Sequence, residues 1–179
     1  PQSDSRKALF EAAAESDVAL AFEGSSPGVA AIGRRGIGAW RLQVTGEQAH
    51  SSGIFRESRG YGAIFETARI LERFRIDLPE QYLTYNPSVI VGGTNVAFDP
   101  ATSSGKALGK TNVIPREAYV TGDIRFLTSE QFEAARARME VIVAESLPKT
   151  SASIEVEKEY PSMAPTDGNR KVLAVLEAV

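Results

Sequence analysis

The chain has 179 residues, 42% hydrophobic and 24% charged, a length and balance that suit one domain with a real core. A formal net charge of −3 gives no field that would gather phosphates, and the absence of cysteine excludes disulfides, thiolate metal sites and cysteine nucleophiles. No apolar run approaches the length that crosses a bilayer, so neither nucleic acid nor a membrane is an expected partner. A soluble protein is expected, cytoplasmic, periplasmic or secreted. The start, Pro1-Gln2-Ser3-Asp4, lacks the regions of a signal peptide, which in a fragment says nothing about its parent.

Residues Asp4 to Ser16 read as a helix with Ala8, Leu9, Ala12 and Ala13 on one side. Val18 to Phe22 is a continuous apolar run, the pattern of a strand buried on both faces of a parallel sheet. No later segment supplies another strand of that kind, so this opening is expected to be a stub of a larger α/β domain. Gly24-Ser25-Ser26-Pro27-Gly28 then breaks the pattern as a linker would. The expected division is a stub over 1–26, a complete domain over 27–164, and a returning helix over 165–179.

From Ala30 the pattern becomes amphipathic. Trp40, Leu42 and Val44 alternate with Arg41, Gln43 and Thr45, which predicts a strand with one buried face ending near Thr45. Tyr61, Ile64, Phe65, Ala68 and Leu71 then recur at helical spacing, predicting a helix from about Ser58 to Arg73. A second strand is expected from about Tyr82 to Val91, ended by Gly92-Gly93 and followed by a loop through Asn95 to Lys110. A third strand points Ala118, Val120, Ile124 and Phe126 inward. Thr128-Ser129-Glu130-Gln131 has the form of a capping box, so a helix should start there and bury Phe132, Ala135, Met139, Ile142 and Val143. Leu147-Pro148 stops it, and a last strand alternates Ile154 and Val156 against Glu155 and Glu157.

The order strand, helix, strand, strand, helix, strand predicts an α+β fold of the ferredoxin-like, split βαβ kind. Two helices should cover one face of a four-stranded antiparallel sheet. The other face should be open and polar, carrying Arg41, Gln43, Asp123, Arg125, Glu155 and Glu157.

His50, the sole histidine, lies in the connection between the first strand and first helix, where a side chain is presented more than packed. Taken alone it is also an ordinary solvated loop residue. Glu23 ends the apolar strand, where open α/β sheets bind ligands, and could be a metal ligand, a base or a solvated loop glutamate. No nucleophile motif or phosphate loop accompanies them, and Gly60-x-Gly62 is explained by a helix start.

Four motifs occur in a definite order: Ser16 to Gly24, Val44-Thr45-Gly46 through Ala49-His50-Ser51-Ser52, Thr111-Asn112-Val113-Ile114-Pro115, and Gly122-Asp123-Ile124-Arg125-Phe126. Together they resemble the zinc-dependent metallopeptidase family numbered twenty. That family includes glutamate carboxypeptidase, succinyl-diaminopimelate desuccinylase, peptidase T and the aminoacylases. The resemblance implies a lid, or dimerisation, domain inserted in a two-zinc catalytic domain, whose parent cleaves a peptide or an N-acyl amino acid amide. It implies that Glu23 is a zinc ligand and that His50 crosses to the partner subunit's active site to stabilise an oxyanion. It also implies that Asn112 and Arg125 contact substrate, Arg125 through a terminal carboxylate. Their chemistry suits those roles, since an imidazole can donate to an oxyanion and a guanidinium grips a carboxylate in two places. By its own pattern Arg125 reads first as an intra-strand or cross-strand salt bridge, and Asn112 could equally be a turn residue before Pro115. The 95–110 segment is longer than the family's usual form. The last strand has Lys158, Glu159 and Tyr160 where glutamate-specific members carry arginine, so acidic specificity is not implied.

Pro87 within the second strand fits a sheet edge, because proline cannot donate to a ladder. Two chains are therefore expected to pair antiparallel along strand 82–91, with helix 58–73 beside its symmetry mate. The fragment alone should neither bind zinc tightly nor turn over substrate. The rival expectation is a free-standing ferredoxin-like module that dimerises or binds a small effector.

Overall fold

Why the strands and helices form where they do is legible in the computed structural model, which describes residues 3–22 and 26–178. The chain divides into two compact units, Pro1–Ala31 and Ile32–Val179. In the first, the helix α1 (Ser3–Ala14) is followed by irregular backbone. The strand expected over Val18–Phe22 is not formed, and Val18, Leu20 and Phe22 are exposed. A strand exists only when paired, and no neighbouring strand for this run is present among the described residues.

In the second unit the elements run β1 (Gly36–Gly46), α2 (Gly62–Asp77), β2 (Thr84–Gly93), β3 (Asn95–Asp99), β4 (Ser104–Leu108), β5 (Glu117–Phe126), α3 (Ser129–Ala144), β6 (Thr150–Tyr160) and α4 (Asp167–Glu177). The main sheet is antiparallel with order β2-β5-β1-β6. This is the split βαβ sandwich expected from the pattern, with β2 and β6 at its edges. The ladder pairs Trp40 with Gly122 and Val156, and Leu42 with Val120 and Ile154, so these share one face. They pack against Ile70 and Phe74 of α2 and Phe132, Ala135 and Met139 of α3.

Two glycines are dictated by this packing. A Cβ on Gly122 would lie 2.4 Å from the Trp40 ring and 2.1 Å from the Asn86 carbonyl oxygen. The indole can therefore cross β5, where its Nε1–H donates to the Asp123 carbonyl at 3.1 Å. Gly62 takes φ +78° and opens α2, four residues later than the periodicity predicts. With Gly60 also in the left-handed region at φ +77°, the helix cannot extend back to Ser58.

The connection expected to be a loop over Asn95–Lys110 contains a second, two-stranded sheet, β3 paired antiparallel with β4. Val96 and Phe98 alternate as strand residues do, but every residue of β4, Leu108 included, is exposed, and Ser-Gly-Lys-Ala-Leu carries no alternating period. Gly92 and Gly93 end the second strand as expected, being the last two residues of β2.

Candidate functional site

His50 is placed by pairing beyond the end of β1. Ile114 donates its N–H to the Ala49 carbonyl at 2.8 Å and Ser51 donates to the Asn112 carbonyl at 2.9 Å. These two bonds form an isolated antiparallel bridge between His50 and Val113. Immediately afterwards Ser51–Gly53 makes one 3-10 turn, with His50 as its N-cap. The exposed imidazole folds back on this turn, its Nδ1 lying 3.2 Å from the Ser52 backbone nitrogen and 2.9 Å from Ser52 Oγ. Asn112 is an exposed residue of the turn Lys110–Val113, closed by a bond from Val113 N–H to the Lys110 carbonyl at 3.0 Å. His50 and Asn112, far apart in sequence, are thus neighbours at one end of the sheet.

Arg125 lies at the other end of β5. It faces away from the helices, flanked in the ladder by Ile37 and Thr84, and its Nε donates to Asp123 Oδ2 at 2.8 Å. The side chain is 41% exposed, so its remaining guanidinium donors are open to a ligand. The same face carries Arg41, 3.9 Å from Glu155 and 3.7 Å from Glu157, and Gln43, which donates to the Tyr119 hydroxyl at 3.1 Å. The structure therefore brings His50 and Asn112 together and holds Arg125 apart from both. Glu23 lies outside the described residues. Among those described, no group of three or more histidine, cysteine, aspartate or glutamate side chains could hold a metal ion. No helix among them is long and apolar enough to cross a membrane.

Sequence reasoning missed three contributors. The β3–β4 hairpin docks on the open face, with Phe98 stacked on Tyr119 at 5.2 Å and Val96 N–H donating to Glu117 Oε2 at 2.9 Å. Its exit leads through Gly109 and Lys110 straight into the turn that carries Asn112. Ser52 was visible only as part of a motif, because its contact with the ring depends on the 3-10 turn. Phe55, five residues after His50, adopts φ 72° and presents its ring against Tyr61 and Phe65, each at 5.3 Å. The strain at a non-glycine left-handed residue has no sequence signature.

Residues 32–151 match the family model described as Peptidase dimerisation domain. Carboxypeptidase G2 of Pseudomonas sp. strain RS-16 is 25% identical over 173 residues, covering 94% of this chain and 38% of the relative. Among solved structures, an aminopeptidase PepT from Bacillus cereus superposes with a TM-score of 0.58 at 21% identity, covering 82% of this chain and 35% of that one. A tripeptidase from Staphylococcus aureus gives 0.56 at 18% identity, covering 82% and 36%. An amidase of the hydantoinase/carbamoylase family from Burkholderia multivorans gives 0.53 at 21% identity, covering 82% and 32%. These structural likenesses establish the fold. The chain spans 32% to 38% of the length of each of these relatives.

Proposed function

The chain belongs to the peptidase dimerisation domain family, and from that premise we propose that it is the lid of a larger metal-dependent hydrolase acting on a peptide or N-acyl amino acid amide. The names of its relatives, peptidases and an amidase, support amide-bond cleavage. Residues 1–26 and 165–179 are then stubs of the catalytic domain. That domain supplies nearly all of the metal site, two zinc ions with Glu23 as one ligand, since the described residues gather no ligand set of their own.

The observation that carries this reading is the separation of the site residues. The run Glu117–Arg125 is extended, roughly 27 Å long at about 3.4 Å per residue. An amino acid derivative cannot reach from His50 and Asn112 at one end to Arg125 at the other. A twofold axis at the β2 edge solves this. Antiparallel pairing lays the Thr84 end of β2, which adjoins Arg125, beside the Gly93 end of the partner's strand, which adjoins the His50–Asn112 end of the sheet. Each catalytic centre is then built from Arg125 of one lid and His50 and Asn112 of the partner subunit. His50 donates to the developing oxyanion, Asn112 contacts the substrate, and Arg125 holds its terminal carboxylate.

Subunit mixing in the intact enzyme tests it. His50→Ala and Arg125→Ala homodimers should both be impaired, whereas their heterodimer contains one site with all groups intact and should regain turnover. A mixture of His50→Ala with Asn112→Ala should not recover, because both groups come from the same lid. No recovery in the first mixture, with subunit exchange verified by differently tagged chains, would overturn the composite site.

A further inference from the structure

We propose that Ser52 is a positioning residue that holds the His50 ring in the tautomer with its proton on Nε2. The catalytic consequence rests on the reading of His50 as oxyanion donor; the tautomer itself does not.

A backbone N–H can only donate. The Ser52 nitrogen lies 3.2 Å from His50 Nδ1 and donates to it, so that ring nitrogen must carry the lone pair. Ser52 Oγ, 2.9 Å from the same atom, then also serves as donor there. A neutral imidazole has one ring proton, and with Nδ1 accepting two bonds it resides on Nε2. Nε2 makes no hydrogen bond among the described residues, so its N–H is left available on the outward edge of the ring. The backbone around the ring is fixed as well. The ladder bonds at Ala49 and Ser51 hold it on one side, and Gly53 N–H donates to the His50 carbonyl at 3.0 Å on the other. An oxyanion needs a donor, and the opposite tautomer would offer it a lone pair at Nε2 while setting Nδ1–H against the Ser52 backbone N–H, the contact that fixes the tautomer since the hydroxyl can reverse its role. The residue two places after the histidine therefore decides whether the ring can act, without touching the substrate.

The test exploits His50 being the sole histidine of the chain. With histidine labelled by nitrogen-15, long-range couplings to the ring carbon-bound protons identify each nitrogen, measured at a pH where the ring is neutral. Nδ1 is expected at the position of an unprotonated nitrogen and Nε2 at that of a protonated one. Ser52→Pro, which removes the backbone donor, should draw the two shifts toward each other as tautomers mix, whereas Ser52→Ala, which keeps that donor, should leave them apart. A protonated Nδ1 in the unaltered chain, or shifts that Ser52→Pro leaves unmoved, would overturn the proposal. In the intact enzyme Ser52→Pro is expected to lower kcat about tenfold, the scale on which a histidine suffers from losing an orienting partner, with KM little changed. It should add nothing on a His50→Ala background. If His50→Ala itself retains normal turnover, the oxyanion reading fails while the tautomer result stands.

Discussion

Glu66 shows how single side chains join the two helices. It is fully buried, and its carboxylate accepts from Arg69 Nε at 3.0 Å, Arg69 Nη2 at 2.7 Å and the Leu147 backbone N–H at 3.1 Å. Arg69 in turn donates to the carbonyls of Ile142 and Glu145, the otherwise unpaired end of α3. Removing the carboxylate takes two bonds from the largely buried Arg69 guanidinium, which keeps the two carbonyls and Glu145, and leaves the Leu147 N–H without its acceptor, so Glu66→Ala should cost about 3 kcal/mol in urea unfolding. Glu66→Gln, which keeps an acceptor, should cost distinctly less; equal losses would mean the cavity dominates. Tyr85 is a milder case. Its hydroxyl donates to the Phe74 carbonyl at 2.7 Å, and burial, only partly opposed by Arg138 and Arg75, raises its pKa above the ordinary value of 10.0. Since the folded state holds the phenol proton, this stability is present below the ordinary phenol range and is lost as pH rises through the raised value. Tyr85→Phe should cost about 1 kcal/mol at neutral pH and flatten the decline of stability under alkaline titration. A variant that declines as steeply as the parent would assign that slope to another group.

At the scale of elements, legibility followed the strength of the local period. The stripe Phe132, Ala135, Met139, Ile142 and Val143 was readable and is buried in α3, whose Thr128 cap accepts from Gln131 N–H at 3.1 Å. The reciprocal half of the capping box is displaced: Gln131 Oε1 accepts from Leu127, not from Thr128. The hairpin was invisible because Ser104–Leu108 has no alternating apolar residues and is held by tertiary contacts instead of a core-facing period. Those contacts define a test of what the hairpin does. Thr94 N–H bonds to the Leu108 carbonyl at 2.8 Å, and Phe98 rests on Tyr119, itself bonded to Gln43. Phe98→Ala should cost about 1 kcal/mol, the order of one stacked aromatic pair. More tellingly, it should speed hydrogen exchange at Val96, Thr94 and Val113, the last within Asn112's turn. The β1–β5 ladder should keep its protection. Unchanged exchange at Val113 would mean that Asn112 is held without the hairpin.

At the scale of the whole molecule, the strand order was legible and the site was not. His50 could be picked out as a presented residue and Arg125 as an open-face cation, but only the bridge between His50 and Val113 shows which end of the sheet each occupies. Sequence spacing cannot report a contact made across 62 positions, from His50 to Asn112, when neither segment has a period of its own. The edge position of Pro87 was legible, and the β2–β5 register slips between Pro87 and Val89 as a missing donor and a bulge require. On the helix side of that edge, Ile90 of β2 is 58% exposed, and Ile64 of α2, which lies over Gly92 of the same strand, is 46% exposed, with Phe65 next to it in sequence 48% exposed. Phe55 extends the apolar surface through its contact with Phe65. Apolar side chains near an open strand edge are costly as free surface, and a twofold mate paired along β2, as proposed above, would cover them together with the strand. Ile90→Glu would set two carboxylates against apolar neighbours near the axis, with no partner for either charge. The expectation is a dimer that persists on dilution for the parent chain and a monomer for Ile90→Glu, compared by sedimentation velocity across a concentration series. Val141, 64% exposed on α3 and away from this edge, supplies the control, since Val141→Glu should leave the assembly intact. A dimer indifferent to Ile90→Glu, or one dispersed equally by Val141→Glu, would move the interface away from β2 and with it the geometry that places His50 beside the partner's Arg125.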